Sequence, residues 1–210
     1  AFFSLDAERD TGRAILYDPA GEPWHVDCAA WRADTLAGDL LLRDLTINAL
    51  AVDVHQPIGG LVDVVGGLDD LQQRLVRAVS ERSLPDDPLR GLRAVRLAAE
   101  LASLGFRLEA NTAQQLRTHA PRLAECSVER VRDELVRLVH SERPGDWLQL
   151  LADLGQLAVV LPEVAILRGV AQSAPHHWDV FEHTQRVVSY VAWLQAWLAG
   201  SPWRLSGGWL

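Results

Sequence analysis

Asp86–Asp87–Pro88–Leu89–Arg90–Gly91–Leu92–Arg93–Ala94–Val95–Arg96 is the stretch on which the reading of this chain turns. Two acids followed by Pro make a helix-start signal: a carboxylate at the cap and a residue of preset φ in the first turn. Apolar residues at Leu89, Leu92, Val95, Leu97 and Ala98 then fit one helix face. Arg90, Arg93 and Arg96 fall at i, i+3 and i+6 on a slowly rotating strip, with Asp87 three residues before the first. Three guanidinium groups on one strip repel each other unless something negative lies alongside, and nucleotide phosphates would meet that need. A carboxylate beside a guanidinium also offers an acceptor and donors in one plane, which suits the edge of a base. The spacing fits equally well a solvated helix face with an Asp87–Arg90 salt bridge, and both readings stand at this point.

Upstream of this stretch the chain reads as strands. Arg13–Tyr17 and Trp24–Cys28 are short β-prone runs around Pro19–Ala20–Gly21–Glu22–Pro23, the chemistry of a hairpin turn. Thr46 to Asp53 is ambiguous between helix and strand, and Leu61–Val65 is a brief strand ended by Gly66–Gly67. From about Leu68 the pattern becomes helical. Thr112–His119 is a helix, Ser127 caps the next, Asp146–Leu154 is stopped by Gly155, and Phe181–Leu198 is stopped by Gly200. The expected fold class is α+β, a β-containing head followed by an all-helical stack. The expected segments are a head over 1–66, a neck over 67–125, body helices over 126–168 and a further helical region over 169–210.

Composition narrows the function without choosing it. The chain has 210 residues, 49% hydrophobic and 23% charged, enough for a packed core. Apolar runs such as Leu154–Leu161 are broken by Gly or polar residues and fall short of the ~18 a membrane span needs. Cys28 and Cys126 form no CxxC pair, so neither a zinc site nor a disulfide framework is indicated, and the compartment reads as cytoplasmic. The net charge is −8 and all 20 basic residues are Arg, which a genome-composition bias accounts for. Seven of them lie between Arg74 and Arg107, so a basic face on an acidic body is compatible with nucleic-acid binding, though the net charge gives it no support. The first residue is Ala1 and the last stretch is rich in Trp and Gly, so both ends read as cut from a longer protein.

Two more segments complete a series. Leu42–Arg43–Asp44–Leu45–Thr46–Ile47–Asn48–Ala49–Leu50–Ala51 comes first, and by itself fits a surface Arg43–Asp44 ion pair with Thr46 and Asn48 as capping or turn residues. Leu61–Val62–Asp63–Val64–Val65–Gly66–Gly67–Leu68–Asp69–Asp70–Leu71 comes second, and its Gly pair permits a tight turn. Taken in order with Asp86–Arg96, these segments resemble motifs of the class II nucleotidyltransferases, the bacterial tRNA CCA-adding enzymes and related poly(A) polymerases. Ser127–Val128–Glu129–Arg130–Val131–Arg132–Asp133–Glu134–Leu135 is similar to a later helix of that family, and Leu157–Val164 to the segment that closes its helical body. The likeness runs over residues 5–185.

The resemblance implies a fold, a reaction and a set of residues. The fold would be a remnant of a nucleotidyltransferase β-sheet head followed by a helical neck and body. Asp87 and Arg90 would pair with the base of incoming CTP or ATP, Arg93 and Arg96 would bind the triphosphate, and Arg43 would contact the nucleotide. Asp44 and Asn48 would shape the pocket or the sugar site, and Asp27 stands where the family has a carboxylate near its metals. The cofactor would be Mg²⁺, the partners RNA, foremost tRNA, and nucleoside triphosphates. Leu42, Val64 and Asp86 depart from the family pattern without touching the selecting pair. The family's paired metal-binding carboxylates have no match before Asp27, so the chain alone is expected to be inactive. Pro175–Thr184 resembles the opening of an HD-type phosphohydrolase domain, with His183 as a metal ligand. That site needs a His–Asp pair, which the chain lacks, so a helix-start cluster without metal is the plainer reading. Polyadenylation, a non-catalytic RNA- or nucleotide-binding helical module and an HD-type phosphohydrolase fragment are the alternatives.

Overall fold

Asp18 organises the first turn of the chain: its carboxylate accepts hydrogen bonds from the amides of Ala20 and Glu22, and Gly21 takes φ +87°. The strands on either side, β2 (Thr11–Tyr17) and β3 (Pro23–Ala29), pair antiparallel as the hairpin reading expects, and β1 (Phe2–Asp6) adds to the other edge of β2. A short helix, α1 (Leu36–Leu41), follows, with the Thr35 hydroxyl accepting from the Gly38 amide. These elements make up one compact unit, residues 1–42, and a second unit begins at Arg43. All of this comes from a computed structural model, which describes residues 1–6, 10–55, 59–141 and 143–200.

The second unit resolves the ambiguous Thr46–Asp53 stretch into two pieces. Thr46–Asn48 is a 3₁₀ turn, and Leu50–Val52 is a strand, β4, antiparallel to β5 (Leu61–Asp63). Helix α2 (Gly67–Gln73) leads into β6 (Leu75–Val76), α3 (Ser83–Asp86) and α4 (Arg90–Glu100). β7 (Arg107–Leu108) pairs parallel with β6, a two-residue pairing inside the part expected to be all helical. It is too short to leave a period in the sequence. The helices α5 (Ala110–His119), α6 (Val128–Val139), α7 (Pro144–Asp153), α8 (Leu157–Val160), α9 (Pro162–Ala165) and α10 (Val180–Leu198) complete the unit. Ser127 sits at the N-cap of α6, though its hydroxyl does not bond the first-turn amides.

One core binds these helices together. Leu92 and Val95 of α4 are fully buried among Leu84, Leu116, Leu138, Leu151 and Phe181, so one helix from each successive turn of chain contributes. Burying a side chain of this kind is worth about 1.5–3 kcal/mol. α10 packs on α7 at Gly145, where the Ser189 hydroxyl accepts from the Gly145 amide at 3.2 Å. The outward side of α10 leaves Val191, Leu194 and Trp197 exposed, with the Trp193 and Trp197 rings stacked.

A glycine fixes where α2 meets the segment before it. Asp63 receives the amides of Val65, Gly66, Gly67 and Leu68 on its two carboxylate oxygens, which gathers the turn into the helix. These amides hold its carboxyl below the usual range, Leu68 foremost and against a smaller opposing push from burial. A Cβ on Gly67 would run into the Thr46 carbonyl oxygen and press on Leu50. Gly67→Ala is therefore expected to lower stability by about 1–3 kcal/mol, read as a lower urea midpoint with an unchanged slope.

Candidate functional site

Helix α4 begins one turn after Asp87, so the expected Asp87–Arg90 pair does not share a helix face. Asp87 lies in extended backbone (φ −149°, ψ 100°) at the end of α3. Its Oδ1 accepts from the Leu89 amide at 3.2 Å and its backbone carbonyl from the Arg90 amide at 3.0 Å, which starts the helix. Its Oδ2 accepts from Arg130 of α6 at 2.7 Å. Arg90, on the first turn of α4, sends its guanidinium to two backbone carbonyls, Ser83 at 3.1 Å and Arg43 at 3.4 Å. The same Arg43 carbonyl accepts from the Ser83 hydroxyl, so the first motif is tied to α3 and α4 through its backbone.

The rest of the arginine strip finds its negative neighbours inside the chain. Arg93 reaches Asp44 Oδ2 with both Nε (2.8 Å) and a terminal nitrogen (2.7 Å), and stands 3.7 Å from Glu134. Arg96 bonds Glu134 at 2.6 Å and Glu100 at 2.7 Å. Asp44 and Glu134 are buried. The reading of Arg43–Asp44 as a surface ion pair is thereby corrected: the carboxylate turns inward to a guanidinium 49 residues away. Burial pushes the Asp44 carboxyl up, but Arg93, the Leu45 amide and the charge of Arg90 together hold it below the ordinary carboxylate range. Burial likewise pulls the Arg96 guanidinium down, and Glu100 and Glu134 outweigh it and raise it.

Thr46 is a structural link. Its hydroxyl donates to buried Asp70 of α2 at 2.7 Å, and Arg77 closes on the same carboxylate at 3.0 Å. Arg77 lies 3.7 Å from Glu109, which caps α5 by accepting from the Asn111 and Thr112 amides. Asn48 is exposed on the 3₁₀ turn, and Arg43 is half-buried just before it. The first motif thus links the other two: Asp44 and the Arg43 carbonyl reach α4, and Thr46 holds Asp70 of the second.

Two residues with no expected role stand at this site, Arg130 and Glu134. They lie four apart on α6, hence on one helix face, and that spacing was legible in Ser127–Leu135. Asp27 belongs to the first unit, on exposed β3, where Arg13 takes both its oxygens at 2.6 and 2.8 Å. That bond first, against the opposing effect of desolvation and with the charge of Arg13 behind it, holds the Asp27 carboxyl below the usual range. His183 stands in the first turn of α10 with its ring edge-on to His176, and Asp179 caps that helix through the Glu182 amide. Among the described residues no three His, Cys, Asp or Glu side chains gather closely enough to share an ion. With Asp27 held by Arg13, the described residues do not fit a magnesium site by themselves.

The second unit thus sets the arginines of α4 against the carboxylates of Asp44, Glu100 and Glu134. The family model described as the poly A polymerase head domain matches residues 16–77, and that described as the probable RNA and SrmB-binding site of polymerase A matches 105–167. The chain belongs to the class II nucleotidyltransferases. A multifunctional CCA protein of Pseudomonas fluorescens is 41% identical over 162 residues, 75% of this chain and 39% of that protein. The Bacillus stearothermophilus CCA-adding enzyme in complex with CTP superposes with a TM-score of 0.66 at 28% identity, covering 90% of this chain and 44% of that one. The Thermotoga maritima CCA-adding enzyme complexed with tRNA does so with a TM-score of 0.64 at 26% identity, covering 83% and 40%. The chain thus spans about two fifths of the length of the curated relatives it matches.

The Asp44 pair makes stability depend on pH. A carboxyl lowered in the folded state stabilises fully above its unfolded value of about 3.9. That contribution fades as pH falls through the lower folded value. Asp44→Asn leaves Arg93 short of its main partner; because Arg93 is partly exposed and keeps Glu134 nearby, the expected cost at pH 7 is about 2–3 kcal/mol, below the ~3–5 of a fully buried pair. The gap to the unchanged protein should narrow below pH ~4, as read by urea unfolding at pH 7, 4 and 3.

Proposed function

We propose that this chain is the nucleotide-selecting and RNA-facing part of a tRNA nucleotidyltransferase, one that transfers CMP and AMP from CTP and ATP to the tRNA 3′ end. The observation that carries the proposal is that the first motif ties in the second through its Thr46 and packs its Asp44 and Arg43 carbonyl on α4 of the third. There Asp87 and Arg90 stand at the helix start, with Arg93 and Arg96 along the strip behind them. In this reading Asp87 accepts from the exocyclic amino group that cytosine and adenine share, and Arg90 donates to the adjoining ring nitrogen or carbonyl. Guanine and uracil present the opposite donor pattern at that edge and are turned away. Arg93 and Arg96, with Arg43, neutralise the triphosphate, and Asp44 and Asn48 shape the sugar side.

For the arginines to serve phosphate, the carboxylates that now hold them must share them. A guanidinium has five donors, and the ion pairs leave some of them available to an anion. RNA would be held mainly through its phosphates on the helices of residues 105–167, with strong salt dependence. Substrates of this kind put the work in the cytoplasm, and no helix among the described residues is long and apolar enough to cross a membrane.

The segments follow the same assignment: head over 1–66, neck over 67–125, body over 126–168 and the start of an HD-like region from 169. Magnesium is the cofactor that the resemblance implies. Asp27 of the first unit keeps the role the resemblance implies, a carboxylate near the metals of the family. The described residues hold no magnesium site of their own, so no chemical step is derived through it. Polyadenylation would share the same selecting pair.

Calorimetric titration of this chain with CTP, ATP, GTP and UTP tests the proposal. CTP and ATP should bind more tightly than GTP and UTP, and Asp87→Ala or Arg90→Ala should abolish that preference. Binding of ATP alone would favour polyadenylation. Equal binding of all four by a folded chain would leave a binding module without base selection and overturn the reading.

A further inference from the structure

The bond from Arg130 to Asp87 has no counterpart among the roles assigned above. Asp87 sits outside any helix, in extended backbone, so nothing in its own segment but the 3.2 Å bond from the Leu89 amide fixes its carboxylate. The second oxygen is taken by Arg130 at 2.7 Å, from a helix 43 residues on. That bond first, against the cost of burial and with the charges of Asp87 and Glu134, raises the Arg130 guanidinium above its ordinary value. One turn further along α6, Glu134 holds Arg96 and stands by Arg93. The helix thereby touches the Asp87 end and the arginine end of the same strip.

We propose that Arg130 is a positioning residue for base selection. It clamps the Asp87 carboxylate so that its remaining lone pairs face a base edge in one orientation. A carboxylate held by two donors on separate oxygens cannot rotate about its terminal bond without losing one of them. Each oxygen keeps a lone pair for a further donor. The Arg130 charge also offsets the repulsion between Asp87 and an approaching triphosphate. This rests on the reading of Asp87 as a base-selecting residue.

The test is titration of the same four nucleotides against Arg130→Ala and Arg130→Lys, with Arg132→Ala as control. Arg132 is exposed and paired with its neighbour Asp133. Arg130→Ala should lower the preference for CTP over UTP at least about tenfold, more than it lowers affinity averaged over the four. Arg130→Lys keeps the charge but loses the planar fork, and should fall between the two. If Arg130 acts through Asp87, the double variant with Asp87→Ala selects no worse than Asp87→Ala alone. An equal fall for all four nucleotides in both Arg130 variants would make the residue merely structural and overturn the proposal, as would full selectivity in Arg130→Lys and Arg130→Ala. Failure of the unchanged chain to distinguish CTP from UTP would strike the Asp87 reading itself, and the proposal with it.

Discussion

Arg93 lies between two carboxylates, Asp44 from the segment that opens the second unit and Glu134 from α6, and Glu134 in turn holds Arg96. This ladder of charges ties three pieces of chain that share no local sequence. Its members are largely withdrawn from water, so each needs the others: a buried charge that loses its partner costs about 3–5 kcal/mol. Hydrophobic packing of α4 brings the pieces near one another, but packing alone tolerates many rotations of a helix. Ion pairs of fixed geometry select the rotation, and with it the direction in which the arginine strip faces.

The same ladder is what an acidic chain would rely on to offer the proposed anion site. With a net charge of −8, long-range attraction does not draw in a triphosphate. What the second unit provides instead is local: guanidinium groups already ordered, with part of their entropy lost in folding. Asp63 and Glu109 do the equivalent for the backbone, each gathering amides at the start of a helix. Thr46, Asp70 and Arg77 join these turns to each other.

Elements with a period or a turn of their own were legible in the sequence. The hairpin follows from Pro19–Pro23 between two β-prone runs, and α4, α5, α7 and α10 from apolar spacing with Gly or capping residues at their ends. The 3₁₀ turn at Thr46–Asn48 and the β6–β7 pairing were not, because three residues and two residues carry no period. The site divides in the same way. Arg90, Arg93 and Arg96 were visible as a strip because helical neighbours are close in sequence. The inward turn of Asp44 and the bond from Arg130 to Asp87 depend on contacts 49 and 43 residues apart, which spacing does not report.

The short joint between Asp87 and Arg90 works as a ruler. Asp87 is fixed to its surroundings by extended backbone and by α6, while the arginines are fixed to one another by the helix they share. Only Pro88 and Leu89 lie between the two frames. Losing or gaining one residue there would turn every arginine of α4 about 100° around the helix axis and leave the carboxylate where it is. Substitution of Pro88, which is only half-buried, can be accommodated, but Leu89 is buried in the core and the length of the joint cannot drift. The pair behaves as a two-part gauge whose calibration is the number of residues in a turn.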